Sequence, residues 1–234
     1  VGLEGLEISA GGPGDKVALA DPALRAAYNK QMAETGVEVS SVAMGFLNRA
    51  PLATDPRGPA WLEQTIAATP ELGARVVLLA FFGKGDLRHE NKLKPEAVDA
   101  VVERLKDAAP RAEEAGVVLG LENTLSAEDN MRIIERVGSD AVRVYYDIGN
   151  STVYGYDVPA ELRALGDLVC QVHFKDGGNF LGEGDVDVVA AAEAIRDIGY
   201  TGWFVLETAI PTEDNIADFR RNAAYVRKTF GMNT

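Results

Sequence analysis

The chain has 234 residues, of which 47% are hydrophobic and 25% charged, an ordinary balance for a globular protein with a sizeable core. Its 23 basic and 36 acidic side chains give a formal charge of −13, which repels nucleic acid and anionic lipid at long range, and no apolar run reaches the ~20 residues needed to span a bilayer; nucleic acid and membrane are therefore not expected partners. A single cysteine, Cys170, rules out an internal disulfide and fits a reducing cytoplasm, the expected location.

In chain order, short apolar segments rich in Val, Leu and Ile read as strands at residues 6–9, 37–43, 75–81, 117–122, 142–147, 169–173 and 204–207. Several are apolar at nearly every position, as parallel strands covered on both faces are. Between and after them, residues 22–35, 60–72, 95–115, 127–137, 159–165, 186–198 and 212–230 carry apolar spacing compatible with helices. Pro95 suits a first helical turn, and Ser126 followed by Asp129 reads as an N-cap with an acidic third position. Gly36, Gly73, Gly116, Gly138, Gly166 and Gly199 come near helix ends, where glycine is favoured.

This alternation predicts a parallel sheet. No linker or low-complexity stretch interrupts it, so residues 1–234 are expected to form a single domain, at a length usual for an α/β barrel of ~250 residues. The expected fold is a (β/α)8 TIM barrel with seven βα units visible. The chain begins at Val1, without the basic-then-apolar pattern of a secretory signal, and opens directly in a strand. A first strand and helix are expected upstream, because a barrel lacking one strand carries two unpaired edges. A doubly wound nucleotide-binding sheet is the alternative fold, but Gly11-Gly12-Pro13-Gly14 matches its glycine fingerprint only in part.

Four successive strands end in a chemical group: Glu122, Asp147, His173 and Glu207, spaced one βα unit apart. A parallel barrel gathers such ends around one mouth, where active sites form. Three carboxylates crowded there repel one another unless a cation neutralises them. Oxygen ligands with one imidazole suit a hard or borderline dication, so one divalent metal ion is the expected cofactor, Mn²⁺ or Mg²⁺ favoured and Co²⁺ allowed. Cys170 has the opposite strand parity to His173 and stays out of the set. A lone acid at a strand end is usually a solvated or capping group. A structural role repeated over four units would leave a scatter of Ser, Asn, Asp and Gly.

The segments around these residues, Leu121-Glu122-Asn123-Thr124, Tyr146-Asp147-Ile148-Gly149-Asn150, Val172-His173-Phe174-Lys175-Asp176, Gly182-Glu183-Gly184-Asp185-Val186-Asp187 and Leu206-Glu207-Thr208, resemble the xylose isomerase-like TIM-barrel superfamily. Within it they resemble the sugar phosphate isomerase/epimerase group, which includes pentulose-5-phosphate and ketose 3-epimerases. The resemblance covers nearly the whole chain. It implies a metal-dependent isomerase or epimerase of a ketose or sugar phosphate. Glu122 and Glu207 would be ligands and also the acid/base pair, one removing a proton next to the carbonyl to give a metal-stabilised enediolate, the other returning a proton on the opposite face. The implied partner is a small sugar or sugar phosphate, and a homo-oligomer is expected by the same resemblance. A second reading on the same scaffold is a metal-dependent dehydratase (lyase) of a keto-inositol or dehydroshikimate-like substrate. A DNA-repair endonuclease of this superfamily needs many histidines and a basic groove, against two histidines and a charge of −13 here.

Substrate-binding candidates follow. Glu7 ends the first visible strand. Glu128 lies six residues after Glu122, where the resemblance places a substrate contact, and also in a first helical turn that favours an acid. Asn150 stands where free-ketose epimerases of the group carry His, while the phosphosugar epimerases resemble this Asp-Ile-Gly-Asn, and Asn179 stands where the free-sugar enzymes carry Arg; both departures argue against a close free-ketose epimerase. Lys175 shares the parity of His173 and can offer a point charge to a hydroxyl or phosphate, and Asp176 can orient a neighbour. Gly177, Gly178, Gly182 and Gly184 form a glycine-rich loop of the kind that binds phosphate through its backbone. Trp61, Phe46 and Phe81 suit either a sugar pocket or core packing, and His89 lies in a polar run and reads as solvated.

Overall fold

The structure is a computed structural model that describes residues 2–90 and 92–232. Its strands are β1 (Gly5–Ser9), β2 (Glu38–Met44), β3 (Val76–Ala80), β4 (Arg88–His89), β5 (Lys92–Leu93), β6 (Val118–Glu122), β7 (Val142–Asp147), β8 (Val169–Phe174) and β9 (Phe204–Leu206). The helices are α1 (Pro22–Thr35), α2 (Gly58–Ala68), α3 (Pro95–Ala115), α4 (Ala127–Val137), α5 (Ile148–Val153), α6 (Val158–Leu165), α7 (Val188–Asp197) and α8 (Asn215–Phe230). Seven strands form one parallel sheet in the order β1-β2-β3-β6-β7-β8-β9, while β4 and β5 pair as a small antiparallel ribbon. Spatial order follows chain order, as repeated βα units require. Among the described residues no helix is long and apolar enough to cross a membrane.

The chain divides into two compact units, Glu4–Val144 and the part from Tyr145 onward together with the residues before Glu4. In the first, the pairs Glu7↔Ser41, Ala43↔Leu78 and Ala80↔Glu122 put these residues, with Gly120, on one face of the sheet. The opposite face is apolar and buried: Ile8, Val42, Met44, Val77, Leu79, Leu119 and Leu121. Helix α3 explains its own burial. Val98, Val101, Val102, Leu105, Ala109 and Ala112 recur at helical spacing and are buried. Gly116, at φ 65°, then ends the helix in the left-handed conformation that other residues rarely adopt.

In the second unit β8 pairs with β9 through Val172↔Phe204, His173↔Val205 and Phe174↔Leu206. Alternation places Gln171, His173 and Val205 on one face and Phe174 and Phe204 on the other. Phe174, Phe204 and Phe230 form an aromatic cluster there, with Phe204 and Phe230 stacked at 4.3 Å and Phe174 edge-on to both.

Three differences from the sequence reading have local causes. The segment 60–72 is not one helix: α2 stops at Ala68 and Pro70–Leu72 forms a 3-10 turn, because Pro70 has no N–H to continue the ladder. Helices α7 and α8 start later than residues 186 and 212, because Asp187 and Asp214 act as N-caps, accepting from Ala190 N and Ala217 N. Helix α5 and the β4–β5 ribbon were not expected at all. Each is too short for a periodic signal.

Candidate metal centre

Each of the four expected ligands sits where a strand hands over to its loop. Glu122 is the last residue of β6 and is buried. Asp147 is the last residue of β7 and caps α5: its Oδ1 accepts from Gly149 N at 2.8 Å and Asn150 N at 2.9 Å. The cap fixes the carboxylate and leaves Oδ2 for other work. His173 is 2% exposed, with its ring against Tyr145 at 4.5 Å between centroids. The Tyr145 hydroxyl accepts from Gln171 Nε2 at 3.0 Å, which holds the supporting ring in place. Glu207 follows β9; its N donates to Phe174 O at 3.1 Å, extending the ladder by one residue, and its side chain is half-exposed. One ligand atom from each of Asp147, His173 and Glu207, all in the unit that begins at Tyr145, lies within 4.8 Å of the other two.

A cationic side chain is already at this cluster. Lys175 Nζ lies 2.7 Å from Asp147 Oδ2 and 2.7 Å from Glu207 Oε2. The same Glu207 oxygen is 3.5 Å from His173 Nδ1. Burial works against the ammonium charge, but the carboxylates of Asp147 and Glu207 outweigh it and raise the pKa of Lys175 above its ordinary value. Gly149 makes room for the lysine stem: a Cβ there would lie 2.5 Å from Lys175 Cγ and 2.8 Å from its carbonyl oxygen. Two carboxylates and an imidazole at this spacing fit a hard or borderline dication. The ammonium between two of the carboxylates marks where positive charge is needed.

The other expected residues take varied places. Glu7 shares the sheet face of Glu122, and its Oε2 accepts from Ser41 Oγ at 2.7 Å. Asn150 is half-buried in the first turn of α5. Glu128 lies in the first turn of α4, exposed and ion-paired with Arg132. Asp176 is buried, and its carboxylate accepts three backbone N–H groups, from Gly182 at 3.0 Å, Gly184 at 2.9 Å and Val186 at 3.0 Å. The glycine-rich loop is folded around this side chain, and a Cβ on Gly184 would collide with it. Asp176→Ala should therefore destabilise the protein by about 3 kcal/mol, the scale of losing charge-assisted bonds and stranding their donors. Urea denaturation measures this, and Asp176→Asn should fall between the two.

Trp61, Phe46 and Phe81 are core residues. Trp61 and Phe46 meet edge-on at 5.1 Å, and Trp61 Nε1 donates to Gly14 O at 2.9 Å. His89 is exposed beside Glu90. The sequence reading missed Tyr145 and Gln171 as supports of His173. Only their strand parity, shared with Asp147 and His173, could have pointed to them.

Fold and site together define a protein of repeated βα units with a carboxylate–imidazole cluster at its strand ends. The chain belongs to the xylose isomerase-like TIM-barrel family, whose model matches residues 1–229. A 2-epi-5-epi-valiolone 7-phosphate 2-epimerase from Actinoplanes sp. is 29% identical over 181 residues, 76% of this chain and 64% of the relative, so the chain spans somewhat less than two thirds of that protein. The L-ribulose-5-phosphate 3-epimerase UlaE of Salmonella typhi is 29% identical over 212 residues, 82% of this chain and 72% of the relative. Among solved structures, an L-ribulose 3-epimerase superposes with a TM-score of 0.82 at 24% identity, covering 98% of this chain and 85% of that one, a likeness of fold.

Proposed function

We propose that the protein is a divalent-metal-dependent epimerase or isomerase of a ketose or sugar phosphate. The observation that carries this reading is the convergence of Asp147, His173 and Glu207 within 4.8 Å of one another, with Glu122 standing at the equivalent end of β6. The names of the relatives support it, since both are epimerases of phosphorylated carbohydrates. The four side chains would hold the ion, with Mn²⁺ the proposed metal. When bound, the ion supplies charge that neutralises the carboxylates and stabilises negative charge developing on the substrate carbonyl oxygen.

The chain's own residues do the rest. One of Glu122 and Glu207 removes the proton from the carbon beside the carbonyl, leaving an enediolate, and the other delivers a proton to the opposite face, which inverts that carbon. Burial of Glu122 keeps water from quenching the exchange. Glu7, Asn150 and Lys175 are the proposed contacts to sugar hydroxyls or phosphate, and Glu128 a contact at the rim. Asp176 acts through the loop it shapes. The working form is proposed to be a cytoplasmic homo-oligomer.

The test is an assay in D₂O with added Mn²⁺ over ketoses, their phosphates and keto-inositols. The expected product is an epimer or isomer carrying solvent deuterium beside the carbonyl. A product that has lost water would replace the epimerase reading by the dehydratase one, and turnover without deuterium uptake would remove proton transfer from the account.

A further inference from the structure

We infer that Lys175 is a built-in counter-ion of the cation site: it holds Asp147 and Glu207 together in the metal-free protein and gives up that place when a dication binds. The second half rests on the metal reading above; the first rests on geometry within the unit that begins at Tyr145. A single Nζ lies 2.7 Å from one oxygen of each carboxylate. Those carboxylates belong to the set suited to a dication. An ammonium and a dication cannot share the same two oxygens, because at ~4 Å like charges repel by several kcal/mol at the effective dielectric of a partly buried site. One of them must leave.

The lysine is built to be the one that leaves. Asp147 is tied at its other oxygen by two backbone N–H groups, so the carboxylate stays when the ammonium goes. Glu207 is half-exposed, which gives the ammonium a route to water. Lysine is a compact charge on a flexible four-carbon stem, and the stem passes Gly149, where the absence of a Cβ leaves its track open. The bond lengths also speak against an incidental surface pair: the ammonium makes two contacts at 2.7 Å with a side chain only 23% exposed.

The consequence is competition. The ammonium offsets carboxylate repulsion and weakens the affinity for metal. Lys175→Met keeps the stem and removes the charge, Lys175→Gln keeps a donor, and Lys175→Arg keeps the charge. Calorimetric titration with Mn²⁺ should show binding about tenfold tighter for the Met and Gln variants than for the native protein, the scale of ~1.4 kcal/mol lost competition, while the Arg variant stays near the native value. The metal-free Met variant should melt several degrees below the metal-free native protein, and the Mn²⁺-loaded forms should melt together. Equal or weaker Mn²⁺ binding by the Met and Gln variants would overturn the competition. An unchanged melting temperature without metal would overturn the counter-ion role, even if no form binds Mn²⁺ and the metal reading itself has failed. Should the variants not fold, crystals of the native protein with Mn²⁺ decide it: Nζ should have left both carboxylates, and Nζ still bridging them would refute the inference.

Discussion

Glu122→Gln and Glu207→Gln should each lower kcat by about 10³-fold or more, at the upper end of what a positioned acid or base contributes, while leaving the protein folded. Glutamine matches glutamate in size and keeps an oxygen for the cation, but it cannot take up a proton. Glu122 is buried at the end of β6 and Glu207 lies just past β9. Removing the Glu122 charge relieves carboxylate repulsion, so the melting temperature of Glu122→Gln should not fall, whereas Glu207→Gln also loses the ion pair with Lys175 and should melt lower without metal. Two-sided proton transfer makes a finer demand. The variant that keeps the proton-removing carboxylate should still exchange the substrate proton with D₂O while forming no epimer. The other should do neither. Native-like turnover in either variant contradicts the acid/base assignment.

Loss of the cation should be as damaging. Asp147→Asn keeps an oxygen to accept from Gly149 N and Asn150 N, so the cap on α5 survives. It removes the charge that faces the cluster. Mn²⁺ affinity should fall by about 100-fold or more, since even groups outside the ligand set cost 10–100-fold when changed. Dialysis of the native protein against a chelator should abolish turnover, and Mn²⁺ should restore it, whereas added Mn²⁺ at ordinary concentration should not rescue Asp147→Asn. Activity that persists without metal would shift the chemistry to the side chains alone.

Much of this was legible in the sequence because it depends on periodicity. The seven strands of the sheet follow apolar runs, and the candidate ligands stand at equivalent strand ends one βα unit apart. Capping was legible in the same way at Ser126 and Gly116, because those residues act on their own backbone within a turn.

What was hidden depends on distance along the chain or on irregular backbone. Asp176 looks like a strand-end acid beside the site, yet its partners are N–H groups six to ten residues later in a loop with no period. Lys175 has the parity to reach the cluster, but its route depends on Gly149, which belongs to another βα unit. Helix α5 contains Gly149 and the β-branched Thr152 and Val153, poor helix formers, and exists because Asp147 caps it. The late starts of α7 and α8 were within reach: Asp187 and Asp214 are favoured N-cap residues.

Crystals soaked in Mn²⁺ and measured at the manganese absorption edge test the centre most directly. A single anomalous peak should appear with oxygens of Glu122, Asp147 and Glu207 and a nitrogen of His173 at about 2.0–2.4 Å. No peak among those four side chains, or a peak held by other residues, would contradict the account from the cation site upward.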